Sequence, residues 1–130
     1  MIIAGVLLTN IVPQVYATTS PSPIKLKVSV NAGKNPIMRG GMQTVYIKVV
    51  NSATGKPVKD VSITASIIGT KEQSITKNIS GKTDQNGNWS FSWKIGSTSK
   101  VGLIGIDVKS SKMGYGNSYG STFFKVIAKN

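Results

Sequence analysis

The sequence predicts an all-β chain, folded as an antiparallel β-sandwich of about seven strands. Three observations predict it. Short stretches alternate apolar and polar residues with the period of two that a half-buried strand requires. Clusters of Gly, Pro, Asn and Asp separate these stretches at short intervals. β-branched residues are abundant, and no segment carries the apolar stripe of an amphipathic helix.

The strands follow in order. IKLKVSV, residues 24–30, sets Ile24, Leu26, Val28 and Val30 against Lys25, Lys27 and Ser29. NAGKNPIMRGG then reads as a loop. QTVYIKVV, residues 43–50, puts Val45, Ile47 and Val49 on one face. Gly55 and Pro57 break the chain before VSITASII, residues 61–68, where Val61, Ile63, Ala65 and Ile67 alternate with polar residues. SITKNIS, residues 74–80, alternates weakly and fits an edge strand. NWSFSWKI, residues 88–95, alternates strongly. GLIGIDVKS, residues 102–110, aligns Ile104, Ile106 and Val108, and GSTFFKVIA, residues 120–128, ends the series.

The first residues stand apart from this pattern. MIIAGVLLTNIVPQVYA, residues 1–17, opens apolar and ends on small residues at Val15 and Ala17, as a secretory signal does. It lacks the usual basic start. Asn10, Pro13 and Gln14 interrupt it, whereas a spanning helix needs about 20 mainly apolar residues. The expectation is a signal peptide over 1–17, a flexible leader over 18–23 and one sandwich domain over 24–130, with no stable membrane span once the signal is removed.

Composition narrows the chemistry. Among 130 residues there is no Cys and no His, which excludes a disulfide framework and removes the commonest general base and nitrogen ligand. Sixteen Lys and Arg face four Asp and Glu, for a net charge of +12. This favours anionic partners and says nothing about fold. Arg39 is the one arginine, and no groove-reading or RNA-stacking motif accompanies the lysines, so nucleic acid is not the expected partner. A Ser–Lys dyad or a pair of carboxylates would be the remaining catalytic routes, and neither has a motif here.

The stretch GKTDQNGNWSFSWKIG, residues 81–96, holds the clearest local signals. Asp84, Asn86 and Asn88 have the spacing that begins a calcium loop, but Trp89 and Ile95 stand where glycine and a carboxylate are needed. A turn capped by Asp84 is the expectation, and no metal site. Trp89, Phe91 and Trp93 share one side of the following strand, with Ser90, Ser92 and Lys94 on the other, so the aromatics are expected in the core. Trp89, nearest the turn, is the candidate for partial exposure. Tyr115 and Tyr119, interleaved with glycines, fit a binding tip and a plain connection equally well. Lys25, Lys27, Lys48 and Lys125 fall on terminal or neighbouring strands and are the candidates for a basic sheet face. Asn78 and Asn88 begin glycosylation sequons.

GKPVKDVSITA, GKTDQNGNWSFSW, VGLIGIDVKSSKMGY and STFFKV occur in that order. The order resembles bacterial and archaeal Ig-like domains of surface and secreted proteins, of the invasin (Big) type. The matching residues are Gly55, Pro57 and Val58; Thr83, Asp84 and Gly87, at the start of a hairpin; and Lys112, Gly114 and Tyr115. Carboxypeptidase regulatory-like, transthyretin-like domains share the first two elements and are the alternative. The resemblance implies an Ig-like sandwich that serves as spacer, stalk or adhesion module, without catalytic residues or cofactor. The combined expectation is a secreted, non-enzymatic module at the cell envelope. Its partner would be an anionic envelope polymer, a glycan or another surface protein. A carbohydrate-binding module using exposed aromatics is the alternative.

Overall fold

The computed structural model describes residues 24–69, 74–97 and 100–128. The expected signal peptide and leader, residues 1–17 and 18–23, lie outside the described residues. Eight strands form: β1 (Leu26–Ala32), β2 (Ile37–Met38), β3 (Met42–Asn51), β4 (Ser62–Gly69), β5 (Ser74–Lys82), β6 (Asn88–Lys94), β7 (Gly102–Ser111) and β8 (Ser118–Ile127). Seven match the alternating stretches to within two residues at each end. The eighth, β2, is a two-residue strand that pairs in parallel with the end of β8. It lies within the stretch that its Gly, Asn and Pro content marks as a loop.

The strands divide into two sheets, β1-β3-β6 and β2-β8-β7-β4-β5. Apart from β2 on β8, every pairing is antiparallel. In an immunoglobulin-type sandwich the first, second and fifth strands share one sheet, and the third, sixth and seventh share the other. With the short β2 set aside, β1, β3 and β6 answer to the first group and β4, β7 and β8 to the second. The fourth long strand, β5, departs from that pattern: in the constant-type sandwich it joins the first group, whereas here it lies beside β4 as an edge strand, as its weak alternation predicts.

Alternation decides which side of each strand is buried. Val45, Ile47 and Val49 of β3 meet Ile63, Ala65 and Ile67 of β4, Ile106 and Val108 of β7, and Phe124 and Val126 of β8 in one core. Along the β5–β6 side, an aromatic series closes the gap between the sheets. Trp89 lies 5.3 Å from Phe91, Phe91 lies 5.5 Å from Trp93, and Trp93 meets Phe124 edge-on at 5.9 Å, all between ring centroids. Such pairs add about 0.5–1.5 kcal/mol each beyond the area they bury. The Trp89 indole lies directly over Gly81 of β5, where any Cβ would occupy the space of the ring. The aromatics of residues 88–95 are therefore core residues, and both tryptophans keep partial exposure at the seam.

Candidate functional site

Residues 83–87 form a structural corner. Thr83 is buried, and its hydroxyl donates to the Val58 carbonyl at 2.7 Å and accepts the Val61 amide at 3.0 Å. The Asp60 amide donates to the Thr83 carbonyl at 3.0 Å. The Asp84 carboxylate accepts the amides of Asn86 at 2.9 Å and Asn88 at 3.0 Å, so the turn itself occupies this oxygen. Gly87 has φ near +75°, and its carbonyl accepts the Val49 amide at 2.8 Å. A side chain there would collide with the Val49 carbonyl oxygen. The Gly-Lys-Pro-Val and Thr-Asp-Gln-Asn-Gly segments thus meet in space and tie the β3–β4 connection to the β5–β6 connection.

The corner corrects one expectation. It does not start a hairpin, because β5 pairs only with β4 and β6 only with β3. The turn instead carries the chain from one sheet to the other. A local Asn-Gly signal fixes the reversal, whereas the partner of each flanking strand is decided by the core faces. Among the described residues no cluster of three Asp or Glu side chains is placed to hold a metal ion.

The lysine candidates separate. Lys27 and Lys48 point outward from the three-stranded sheet, and alternation puts Lys25, just before β1, on the same side. Lys125 stands on the outer face of the other sheet, opposite Leu103. A single face made of all four is therefore corrected to one of three, because the sandwich puts the first and last strands in different sheets. Lys94, at the end of β6 opposite Met42, joins the three-stranded face in place of Lys125.

That face has a simple layout. Across the strands, Ser29 neighbours Lys48 and Lys48 neighbours Asn88, then Asn31, Tyr46 and Ser90 form the next outward row. Thr44 and Ser92 follow, their hydroxyls 2.8 Å apart. Tyr46 stands 54% exposed at the centre. β1, β3 and β6 contain no Asp or Glu. A groove of about 490 Å³ runs beside this face at the β5–β6 seam, lined by Tyr46, Lys82, Asp84, Asn88, Trp89 and Ser90. Lysines can hold anionic groups, hydroxyls and amides can hydrogen-bond, and the Tyr46 ring can stack on an apolar face.

The remaining candidates are dispersed. Tyr115 is half-buried against the core beside Ile24, with which it forms an isolated bridge. Tyr119 is 69% exposed on β8 and edges a shallow groove of about 540 Å³ with Thr64, Ser66, Asp107, Lys109 and Ser121. Of Trp89, Trp93, Tyr115 and Tyr119, only Tyr119 is exposed, so these four offer no pair of open stacking rings. Asn88 is exposed at the start of β6, and Asn78 is exposed on β5, where its side-chain Oδ1 accepts the Ser66 hydroxyl at 2.8 Å.

Tyr46 and Lys94 are the functional candidates that sequence reasoning missed. Both lie in the polar phase of strands whose apolar phase was read correctly, and that phase is the signal that could have found them. Its drawback is that every strand has a polar phase, and only the register shows which ones converge.

No protein family and no curated protein matches the chain by sequence. Among solved structures the chain is similar to the soluble domain of PmoD from Methylocystis sp. ATCC 49242 (Rockwell). The likeness has 13% identity and a TM-score of 0.49, and covers 76% of this chain and 90% of that one. It assigns no function to this chain.

Proposed function

We propose that this protein is a secreted, non-enzymatic Ig-like binding module of the cell envelope, and that it contacts anionic envelope polymer through the outer face of its three-stranded sheet. One observation carries the reading. Lys25, Lys27, Lys48 and Lys94 share that face around Tyr46, while its three strands hold no carboxylate. The apolar, signal-like residues 1–17 and the order of Ig-like motifs support the secreted setting. Cationic side chains on a stiff sheet keep their spacing, which suits an extended chain of repeating negative charges. Such contacts weaken with salt because the Debye length falls to about 8 Å at physiological ionic strength.

The test is binding to polygalacturonate and to polyglycerol phosphate between about 50 and about 300 mM salt. The expected result is steep weakening with salt, and at least a tenfold loss for Lys27→Gln/Lys48→Gln. The variant Lys109→Gln/Lys125→Gln, on the opposite face, loses less. Equal losses for the two variants would reduce the effect to net charge and remove the site.

A second reading rests on the groove shared by Tyr46 and Trp89 with Asn88 and Ser90. A ring beside hydroxyl and amide groups suits a sugar, as in a carbohydrate-binding module. Binding of a neutral glycan that survives high salt and is lost in Tyr46→Ala would favour this reading over the anionic one.

A further inference from the structure

We propose that the end of the sandwich opposite the Thr83–Gly87 corner is a docking surface for anionic lipid bilayers. The register defines this end. It holds the start of β3, where Met42 pairs with Lys94, and the start of β7, where Gly102 pairs with Val126. The short strand β2 lies here too, beside Val126 and Ile127.

Nine large apolar side chains are exposed among the described residues, and five of them belong to this end: Met38, Met42, Val101, Leu103 and Phe123. Phe123 is 62% exposed and lies diagonal to Leu103 across β7 and β8. Of the other four, Tyr46 and Tyr119 stand on the two sheet faces, and Ile24 and Met113 are exposed at the opposite end, where Val58 and Val61 are buried under the Thr83 corner.

Cationic side chains accompany the apolar ones. Lys125 pairs with Leu103, Lys94 pairs with Met42, and Lys34 is exposed in the loop whose Asn35 accepts the Lys125 amide at 3.0 Å. Asp60 and Asp84 sit at the opposite corner. Asp107 lies two residues along β7 from Gly105, toward the middle of the sheet, and Glu72 is outside the described residues.

Apolar side chains ringed by lysine match a surface that offers negative headgroups over an apolar layer. The five side chains also surround the end rather than lie in one plane. Met42 faces out from one sheet, Leu103 and Phe123 from the other, and Met38 sits on the edge strand between them. A fluid headgroup layer conforms to that shape, whereas a rigid protein face reaches one side of it. A second copy of the chain would bring +12 against +12, which opposes association. Contact of this kind is peripheral and needs no spanning segment.

Co-sedimentation of the full chain with extruded vesicles tests the idea, using phosphatidylcholine alone and phosphatidylcholine mixed with phosphatidylglycerol. The expected result is binding to the anionic vesicles and not to the neutral ones. Leu103→Ser/Phe123→Ser lowers partitioning at least tenfold with an unchanged melting temperature, since both residues are surface groups. Lys34→Gln/Lys125→Gln, which leaves the apolar side chains in place, lowers it about fivefold per lysine. Tyr46→Ser, on the polymer-facing sheet, leaves it unchanged. Absence of binding, or binding indifferent to both double variants, overturns the proposal. A fall with Tyr46→Ser equal to that of the Leu103/Phe123 pair would move the surface to the three-stranded face. Concentration-dependent dimers abolished by Leu103→Ser/Phe123→Ser would make the occupant a second copy.

Discussion

Two buried polar side chains hold opposite ends of this sandwich, and they do so differently. Thr83 joins two connections that are otherwise sealed, and its hydroxyl is satisfied on both sides within the corner. Gln43 points inward from β3 and binds one loop. Its carbonyl oxygen accepts the amides of Lys34 at 3.0 Å and Thr44 at 3.1 Å, and its amide donates to the Lys34 carbonyl at 2.7 Å. Around Thr83, Val58 and Val61 are buried. Around Gln43 the adjoining chain leaves Met38 and Met42 open. A corner can therefore be rigid without being closed, and the end that stays apolar at its surface is the one with room for an external contact.

The largest way to break the contrast is Gly87→Ala. A left-handed backbone costs a non-glycine residue roughly 1–2 kcal/mol, and the collision with the Val49 carbonyl adds an overpacking cost of about 1–3 kcal/mol. A loss of about 3 kcal/mol in urea unfolding is expected; a change below about 1 kcal/mol would mean the corner is not rigid.

Removing the two polar locks comes next. Thr83→Val strands the Val61 amide and the Val58 carbonyl in the interior, which costs about 2–3 kcal/mol. Gln43→Leu strands the Lys34 groups, but the loop is only part-buried and water can reach it, so about 1–2 kcal/mol is expected. Hydrogen exchange separates the two: Gln43→Leu speeds exchange at Lys34 and leaves Val61 protected, and Thr83→Val does the reverse. If both variants loosened both amides, the ends would be one cooperative unit.

Smaller effects sharpen the comparison. Asp84→Ala removes the acceptor of two turn amides that are exposed and can turn to water, for a loss of about 1 kcal/mol. Phe123→Ser at the open end stays within about 0.5 kcal/mol of the parent, because the ring is a surface group. A larger loss would show that Phe123 serves the fold, and would weaken the case for an exposed docking end.

How far the sequence reaches can be seen at particular residues. The period-two alternation located the inward faces of five strands, and the residues it selected lie in the core or pack against it, except Ile24, which is 48% exposed just before β1. The two-residue β2 escaped because two residues carry no periodicity. Thr83, Asp84 and Gly87 were legible as a turn because each side chain acts on backbone only a few residues away, or demands a φ that its own type allows. Gln43 was not legible, since its partner lies nine residues upstream in another loop and polar residues in strands ordinarily face water. Lys125 was grouped with the wrong lysines for a related reason. Alternation tells which residues of a strand share a side, but not which sheet that strand enters.

What the sequence determined by itself was therefore local: strand positions, the Asp84 turn, the burial of Trp89, Phe91 and Trp93, and a strong positive charge. Hydrophobic periodicity and turn chemistry act over a few residues, so one segment is enough to read them. Only the tertiary structure decided that β5 and β6 part into different sheets, that Lys94 rather than Lys125 shares a face with Lys27 and Lys48, and that five apolar side chains gather at one end. Those outcomes depend on which strands pair across long stretches of chain, and pairing is settled by the packing of whole faces against one another.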